Sequence, residues 1–233
     1  MTLPVVILAG GLATRLRPVT EKIPKSLIEV AGKPFAELQI ELLVKHNIKK
    51  VVFCIGYLGE MIRDTLGDGK KYGIQIKYSF DGDILLGTGG SIRKALPLIG
   101  DTFFILYGDS YLDCDYQKIE ESFYQSKKEG LMTVFHNRGL FDRSNIIFRD
   151  GQILQYKKGM NTEEFEYIDY GLGILRSSIL KFYPENTPFD LSIVYQNLLA
   201  KGNLAGYEVP HRFYEIGSKE GLEETRKMID NII

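Results

Sequence analysis

The sequence predicts an α/β fold in which a mostly parallel mixed sheet is flanked by helices. Two observations lead to this prediction. Short apolar runs alternate with segments of helical spacing through the first half of the 233 residues. The second half contains apolar runs joined by a turn at 149–152, which indicates a hairpin insertion. The length fits one domain, and a hydrophobic content of 44% is enough for a proper core.

Each element follows from its local pattern, because apolar runs predict strands and apolar residues three or four positions apart predict helices. In the first half, strands are expected at 5–8, 51–55, 74–78 and 103–107 and helices at 35–46, 58–66 and 88–96. In the second half, strands are expected at 131–135, 145–148, 153–156 and 170–175 and helices at 191–199 and 219–232. No linker, low-complexity tract or repeat divides the sequence, so we expect a single domain over 1–233.

Composition and charge argue against several classes of function. The formal net charge of −1 gives no support for a nucleic-acid partner or an acidic membrane surface, so any positive site must be local. Cys54 lies in an apolar run, and Cys114 lies between two aspartates that raise a thiol pKa, so neither is expected to be reactive. No apolar stretch approaches the roughly 20 residues of a membrane span, and we expect a cytoplasmic protein.

The loop after the first strand has the residues of an anion site. Ligands of open α/β sheets bind beyond the carboxyl ends of the strands, where Gly10 and Gly11 let main-chain N–H groups approach closely. Arg15 adds a planar donor fork, and Lys25, directly after Pro24, adds a compact charge. Neither G-x-G-x-x-G nor G-x-x-x-x-G-K-[ST] is present. A lone glycine pair would favour a plain turn with solvated arginines; the residues that follow favour a site.

The first 34 residues resemble the signature of the nucleotidyltransferases that act on sugar 1-phosphates, an apolar strand followed by GGxGTRLxPxT and PKxLxxVxxKP. The matching residues are Gly10, Gly11, Thr14, Arg15, Leu16, Pro18, Thr20, Pro24, Lys25, Leu27, Val30, Lys33 and Pro34. The chain departs at Ala13, where the family usually has glycine. This departure predicts either a negative φ at Ala13 or a slightly different mode of binding.

The resemblance extends along the whole chain. Residues 86–90 are similar to the family's LGTAG nucleotide segment, and 108–109 to its magnesium-binding GD. Residues 168–171 resemble the segment that holds the sugar. Residues 214–218 resemble the late DxGT segment, in which Glu215 stands in the place of the metal-binding aspartate. The overall pattern is most similar to heptose or mannose 1-phosphate guanylyltransferases.

This resemblance implies the nucleotide-diphospho-sugar transferase fold, with a Rossmann-like sheet, and a division of labour within the domain. Residues 1–110 would mainly bind nucleotide, and residues 111–233 would mainly bind sugar. The implied nucleotide-binding residues are Leu8, Ala9, Gly10, Gly11, Thr14, Arg15, Gly87, Thr88 and Gly89. The implied catalytic residues are Arg15, Lys25 and Asp109, the metal ligands Asp109 and Glu215, and the sugar-phosphate ligands Lys158, Asp169 and Gly171.

Each of these roles has a plainer alternative. Asp109 could cap a turn after a buried strand, and 87–90 could be a bare helix N-terminus. The local match around Lys158 is loose, and a solvated hairpin lysine fits it equally well. For Asp109 the ligand role is favoured chiefly by the match to the family's GD segment, and also by its position at the sheet's carboxyl edge.

The reaction implied by the resemblance joins an NTP to a sugar 1-phosphate and releases pyrophosphate. A phosphate monoester has its second pKa near about 6, so the acceptor is mostly a dianion and no general base is required. Mg²⁺ is the implied cofactor, because two polyanions must be neutralised and aligned. Arg15 would hold the triphosphate and the leaving pyrophosphate, and Lys25 would stabilise charge at the α-phosphate.

Two alternatives remain open at this stage. One is uridylyl, thymidylyl or cytidylyl transfer to another sugar 1-phosphate or to phosphocholine. The other, from a different class, is a nucleotide-sugar-binding subunit without catalysis, which Ala13 and Glu215 keep open. The expected partners are therefore small substrates. Family members are often dimers or tetramers, so a homo-oligomer is consistent with the resemblance, but no patch in the sequence identifies an interface.

Overall fold

The computed structural model describes residues 2–141, 143–157 and 164–232. Its longer strands are β1 (Val5–Leu8), β4 (Lys50–Ile55), β5 (Gln75–Phe80), β6 (Thr102–Tyr107), β8 (Gly130–His136), β9 (Ile146–Arg149), β10 (Gln152–Tyr156), β11 (Tyr167–Arg176) and β12 (Leu204–Glu208). Two-residue strands are β2 (Glu29–Val30), β3 (Lys33–Pro34), β7 (Ser110–Tyr111) and β13 (Tyr214–Glu215). The helices are α1 (Phe35–Lys45), α2 (Gly59–Leu66), α3 (Gly87–Ile99), α4 (Tyr116–Ser126), α5 (Ser177–Leu180), α6 (Leu191–Ala200) and α7 (Lys219–Asp230).

The nine longer strands form one mixed sheet, as predicted. Its main path runs β10-β9-β11-β6-β1-β4-β5, and β8 and β12 extend it from β11. Strands β6, β1, β4 and β5 are mutually parallel. In chain order, α1 joins β1 to β4, α2 joins β4 to β5 and α3 joins β5 to β6. The sheet changes direction at β11, which pairs antiparallel with β6 and β8. The chemistry-bearing loops of the first half therefore leave from one edge of a parallel sheet.

Two apolar layers cover the two faces of the sheet. Strand β1 contributes to both, because successive side chains point to opposite faces: Val5 and Ile7 belong to one layer and Val6 to the other. Helix α1 packs on the first face through Ile40 and Leu43. No helix within the described ranges is long and apolar enough to cross a membrane.

The predicted hairpin insertion is confirmed as β9 and β10. Arg149 pairs with Gln152, which leaves a two-residue turn at Asp150 and Gly151. Both turn residues have positive φ, 50° and 76°, as a type I′ turn requires. The hairpin joins the sheet beside β11, through a pair between Ile146 and Tyr167.

Helix α4 and strand β12 have weak signals in the sequence. In α4 only Tyr116, Ile119 and Phe123 are buried, among eight more polar or exposed positions. Its clearest signal is Asp115, whose side chain accepts a hydrogen bond from the main-chain N–H of Lys118 at 3.0 Å. Strand β12 is a short strand, Leu204–Glu208, that pairs in parallel with β8.

Candidate active site

A cleft of about 270 Å³ opens at the carboxyl ends of β1, β4 and β6. It is the position that an open α/β sheet offers to a ligand. Its lining residues are Leu8, Ala9, Gly10, Gly11, Ala13, Lys25, Ser26, Cys54, Asp81, Leu85, Gly87, Thr88, Ser91, Tyr107, Gly108 and Asp109. Most of the predicted nucleotide-binding residues are therefore brought together; Thr14, Arg15 and Gly89 are the three outside this lining.

The glycine pair of the first loop has two different environments. A Cβ at Gly10 would lie 3.1 Å from the main-chain nitrogen of Gly56, so the loop passes close to the end of β4. A Cβ at Gly11 would meet nothing within 4 Å, and Gly11 is exposed. Its main chain is therefore open to a ligand.

Ala13 corrects the expectation of a negative φ. It has φ 48° and ψ 45°, the left-handed conformation that the family's glycine would adopt without strain. For a non-glycine residue this conformation is less favourable by about 1–2 kcal/mol. The surrounding turn holds it there: the Ala13 carbonyl accepts from Thr20 Oγ1 at 2.9 Å and from the Leu16 N–H at 3.1 Å.

Lys25 and Asp109 form an ion pair at the cleft. The Lys25 ammonium donates to Asp109 Oδ2, and the two side chains are 22% and 21% exposed. Lys25 comes from a 3-10 turn that follows Pro24, and Asp109 follows β6. The two predicted catalytic residues, 84 positions apart, thus meet at one point.

Asp109 sits on a tightly held turn. The Gly108 N–H donates to the Leu8 carbonyl at 2.9 Å, and the Asp109 carbonyl accepts from the Ile216 N–H at 2.9 Å. A Cβ at Gly108 would lie 2.8 Å from the Leu8 oxygen and 2.9 Å from the Ala9 Cβ, so only glycine fits. The turn is thereby joined both to β1 and to the segment that carries Glu215.

Arg15, Asp109 and Glu215 converge around Gly217. The position that a Cβ would take at Gly217 lies 3.1 Å from Asp109 Oδ2 and 3.2 Å from Arg15 Nη2, and it would overlap Glu215 Oε2. Strand pairing places Glu215 opposite Ser110, next to Asp109. Two carboxylates and a guanidinium that are far apart in sequence therefore share one small region.

Glu215 also anchors the start of α7. Its Oε1 accepts from Ser218 Oγ at 2.8 Å, and its Oε2 accepts from the Gly217 N–H. Ser218 in turn accepts from the Gly221 N–H at 2.9 Å, as a helix cap does. The longer glutamate side chain thus folds back onto the helix terminus while it stays beside Asp109.

The pair of carboxylates suits Mg²⁺ held partly by substrate. Mg²⁺ in phosphate-transfer sites usually takes one or two carboxylates, with substrate oxygens and water completing its shell. Asp109 and Glu215 supply hard oxygen donors of this kind. Within the described residues no group of three or more His, Cys, Asp or Glu side chains could hold a metal ion.

Residues 87–90 serve packing as well as the cleft. Gly87 and Thr88 line the cleft, but Thr88 Oγ1 also accepts from the Leu191 N–H at 2.8 Å at the start of α6. The Gly89 N–H donates to the Phe189 carbonyl at 3.0 Å, and a Cβ at Gly89 would overlap the Phe189 ring. Contact with the nucleotide therefore stays a prediction for Gly89.

Gly89→Ala is expected to lower the free energy of unfolding by about 1–3 kcal/mol, as overpacking does. Phe189 has little room to move, because its ring stacks on Tyr183 with centroids 4.8 Å apart. The better helix propensity of alanine, worth about 0.5–1 kcal/mol, offsets only part of the cost. Urea unfolding measures the effect. Gly11→Ala, where a Cβ has open space, is the matched control and is expected to keep its stability; equal stabilities for the two variants would contradict the prediction.

The predicted sugar segment lies against the Asp109 turn. Gly171 has φ 94°, and a Cβ there would lie 3.6 Å from both Ser110 Oγ and Tyr107 Cδ2. Asp169 Oδ1 accepts from the Gly171 N–H at 3.0 Å and so holds this bend in β11. Burial, with the nearby Asp169 carboxylate, raises the pKa of Tyr107 well above its usual value, which keeps the phenol protonated. Lys158 lies outside the described residues.

Asp81 is a cleft residue that sequence reasoning missed. It is only 7% exposed and lines the cleft at the end of β5. Its Oδ2 accepts from the Leu86 N–H at 3.0 Å, and its Oδ1 accepts from Ser91 Oγ at 2.7 Å. Each carboxylate oxygen can accept a second hydrogen bond. The available signal was an acidic residue directly after a strand, a few positions ahead of the glycine-rich segment.

The cysteines match their prediction. Burial, with Asp81 nearby, raises the pKa of the Cys54 thiol, although Cys54 lines the cleft. Burial, with Asp113 and Asp115, raises the pKa of the Cys114 thiol to about 12. Both remain thiols near neutral pH, so neither is an activated nucleophile.

Comparison with known proteins identifies the family. The family model described as nucleotidyl transferase matches residues 4–139. The chain is a member of the nucleotidyl transferase family. A curated relative, a D-glycero-alpha-D-manno-heptose 1-phosphate guanylyltransferase from Aneurinibacillus thermoaerophilus, is 30% identical over 98% of this chain and 99% of its own length. A UTP–glucose-1-phosphate uridylyltransferase from Synechocystis is 30% identical over 80% of this chain.

The chain spans about half the length of several curated relatives, including 52% of the Synechocystis protein. Among solved structures, HddC from Yersinia pseudotuberculosis complexed with GMP-PN is 26% identical, with a TM-score of 0.81 over 98% of this chain and 100% of its own. A UDP-glucose pyrophosphorylase from Acinetobacter baumanii is 17% identical, with a TM-score of 0.77 over 97% of this chain and 92% of its own, and shows the common fold. The expected fold and family are therefore confirmed.

Proposed function

We propose that this chain transfers a nucleoside monophosphate from an NTP to a sugar 1-phosphate, giving an NDP-sugar and pyrophosphate. The observation that carries the proposal is the convergence of Lys25, Asp109, Glu215 and Arg15 beside one cleft, in a member of the nucleotidyl transferase family. A cytoplasmic location, where nucleoside triphosphates are made and used, is part of the proposal.

The site residues divide the work of bringing two polyanions together. Asp109 and Glu215 would hold Mg²⁺, which neutralises phosphate charge when bound. Lys25, which lines the cleft beside Asp109, would stabilise charge at the α-phosphate. Arg15, close to both carboxylates, would hold the triphosphate and the departing pyrophosphate. The cleft lining contains no histidine, which suits an acceptor that is already a dianion.

The domain divides between nucleotide and sugar in this proposal. Residues 1–110 supply the cleft lining, and residues 111–233 supply the sugar side, with Asp169 and Gly171 on β11. The position of Gly171 against Tyr107 and Ser110 supports this division, because it brings the sugar segment to the turn that carries Asp109. Lys158 is proposed as the ligand of the sugar phosphate.

Guanine is the base that we propose, with a heptose or mannose 1-phosphate as the acceptor. The full-length similarity to a heptose 1-phosphate guanylyltransferase and the likeness to HddC complexed with GMP-PN support it. Asp81 adds a chemical reason. A carboxylate can accept together from the adjacent N1–H and amino group of guanine, whereas uracil and thymine present one N–H between two carbonyl oxygens.

Pyrophosphate release tests the proposed function. The protein is mixed with Mg²⁺, each of GTP, UTP, CTP, dTTP and ATP, and pooled sugar 1-phosphates; phosphocholine is run separately. Release that needs both GTP and a sugar 1-phosphate is the expected result. Release with another NTP would keep the reaction and change the base. Release with phosphocholine alone would indicate a cytidylyltransferase, and NTP binding without release would favour a non-catalytic binding subunit.

Asp81→Asn is expected to lower kcat/KM for GTP about 10- to 100-fold, because a two-point base contact is worth about 1–3 kcal/mol. The ratio of kcat/KM for GTP to that for UTP should fall as well. Asparagine keeps an oxygen for the Leu86 N–H and replaces the other oxygen with a donor. The ratio of kcat/KM for the two nucleotides is the measurement. Asp64→Asn, at an exposed position of α2, is the control. An unchanged ratio in Asp81→Asn would remove Asp81 from base selection.

A further inference from the structure

A buried glutamine of α1 braces the turn that carries Asp109. Gln39 is 1% exposed, and its Nε2 donates to the Tyr107 carbonyl at 3.0 Å and to the Ser110 carbonyl at 2.7 Å. Both hydrogens of the amide are used, one on each side of Gly108 and Asp109. A planar amide fixes the direction of both donors, so a single side chain sets the spacing of the two ends of the turn.

Stability alone does not account for a glutamine at this position. Its neighbours Leu38 and Ile40 are buried apolar residues of the same helix. Burial of an amide is unfavourable unless all of its polar atoms are bonded. The Gln39 Oε1 atom is buried with no hydrogen-bond partner among the described residues, and such an atom costs about 1–3 kcal/mol. The Nε2 group of Gln39 bonds two carbonyls of the turn, whereas its Oε1 lowers stability. An apolar residue would fill the same space in the core without that cost.

Gln39 supplies an attachment of the turn on the α1 side, made by a side chain. Main-chain bonds also hold the turn, from Gly108 to Leu8 and from Ile216 to Asp109. Those bonds fix the turn relative to β1 and to β13. The two hydrogen bonds from Gln39 Nε2 fix the carbonyls of Tyr107 and Ser110, which come before and after Gly108 and Asp109. They therefore limit rotation of the peptide units on either side of Asp109.

We propose that Gln39 is a positioning residue that holds the Asp109 carboxylate in the orientation needed for the divalent cation and for Lys25. This inference rests on the proposed function, in which Asp109 is a metal ligand. Residues that orient a metal ligand from outside commonly change metal affinity or activity about 10- to 100-fold when they are replaced. An effect of that size is expected here, without a direct contact between Gln39 and substrate.

Gln39→Met and Gln39→Asn form the test, with Mn²⁺ as the probe. Methionine keeps the length and removes both donors; asparagine keeps the donors and is shorter by one methylene. Mn²⁺ binding is followed by electron paramagnetic resonance in the presence of a non-hydrolysable GTP analogue, and kcat, KM and urea unfolding are measured alongside. We expect the Mn²⁺ affinity to fall in the order wild type, Asn, Met, by about tenfold or more for Met. We expect kcat to fall with it and KM for GTP to change little.

Packing alone predicts the opposite order for stability, because methionine fills the core better than asparagine. Thr133→Val is the control: it removes another buried side-chain bond, from Thr133 Oγ1 to the Leu172 carbonyl, and should affect unfolding without affecting Mn²⁺. Mn²⁺ affinity and kcat that follow stability in all three variants would overturn the inference. Failure of the proposed metal site is a distinct result, since Asp109→Asn would then also leave Mn²⁺ affinity unchanged.

Discussion

Asp109→Asn is expected to lower kcat for nucleotidyl transfer on the order of 10³-fold, with NTP still bound. Asparagine keeps the shape of the side chain and removes the charge, so both a metal–carboxylate bond and the ion pair with Lys25 are weakened. Stabilisation of phosphate charge by a metal is worth several kcal/mol in the transition state, and a loss of about 4 kcal/mol is a thousandfold in rate. Pyrophosphate release at saturating substrates measures the change.

Asp113→Asn is the matched control for this variant. Asp113 is also paired with a lysine, Lys45 at 2.9 Å, and with His46 at 2.8 Å, but it does not line the cleft. Its removal is expected to leave kcat within about threefold, since partly exposed pairs contribute about 0–1 kcal/mol. If Asp109→Asn turned over at the wild-type rate, the metal assignment would be wrong. If the wild type bound NTP and had no turnover, the binding-subunit alternative would be the better one.

Lys25→Met has the second-largest expected effect, a fall in kcat/KM of about 10²- to 10³-fold, the scale of one donor aimed at developing oxyanion charge. Methionine keeps much of the apolar stem and removes the ammonium. It also leaves Asp109 without its cationic partner, so an increased affinity for Mn²⁺ should accompany the slower reaction. Steady-state kinetics and Mn²⁺ titration separate these two effects.

Lys33→Met serves as the control for Lys25→Met. Lys33 forms an exposed ion pair with Glu41 at 2.7 Å, away from the cleft lining, and it belongs to the same signature. We expect it to react at close to the wild-type rate. If kcat/KM fell equally in the two lysine variants, the total positive charge of the first 34 residues, and not the position of Lys25, would support the reaction.

Local pattern was sufficient for the parallel half of the fold and for the position of the first loop. Strands such as the one that ends at Leu8 are buried on both faces and are therefore continuous apolar runs. Such runs can be predicted as strands from the local sequence alone. The loop residues follow at fixed spacing from that strand. The carboxyl edge of a parallel sheet then places Gly10 and Asp109 together, although they are 99 positions apart in the sequence.

Other features depend on contacts that a local pattern does not contain. The conformation of Ala13 is held by Thr20, seven residues away, against its intrinsic preference. The roles of Gln39 and Asp81 follow from distant hydrogen-bond partners and from burial, and neither residue type is typical of a core. Gly89 matches a nucleotide motif in sequence, yet its nearest neighbour is Phe189, about 100 residues later.

The bonds of Glu215 join the start of the last helix to the region around Asp109. The same carboxylate that lies beside Asp109 also secures the first turn of α7 through Ser218 and Gly217. In the proposed role of Glu215, a bound cation would share this carboxylate with the helix terminus, and fraying of α7 would displace one of the cation's ligands. Local opening of α7, measured by amide hydrogen exchange, would then be thermodynamically linked to occupancy of a cleft that the helix itself does not line.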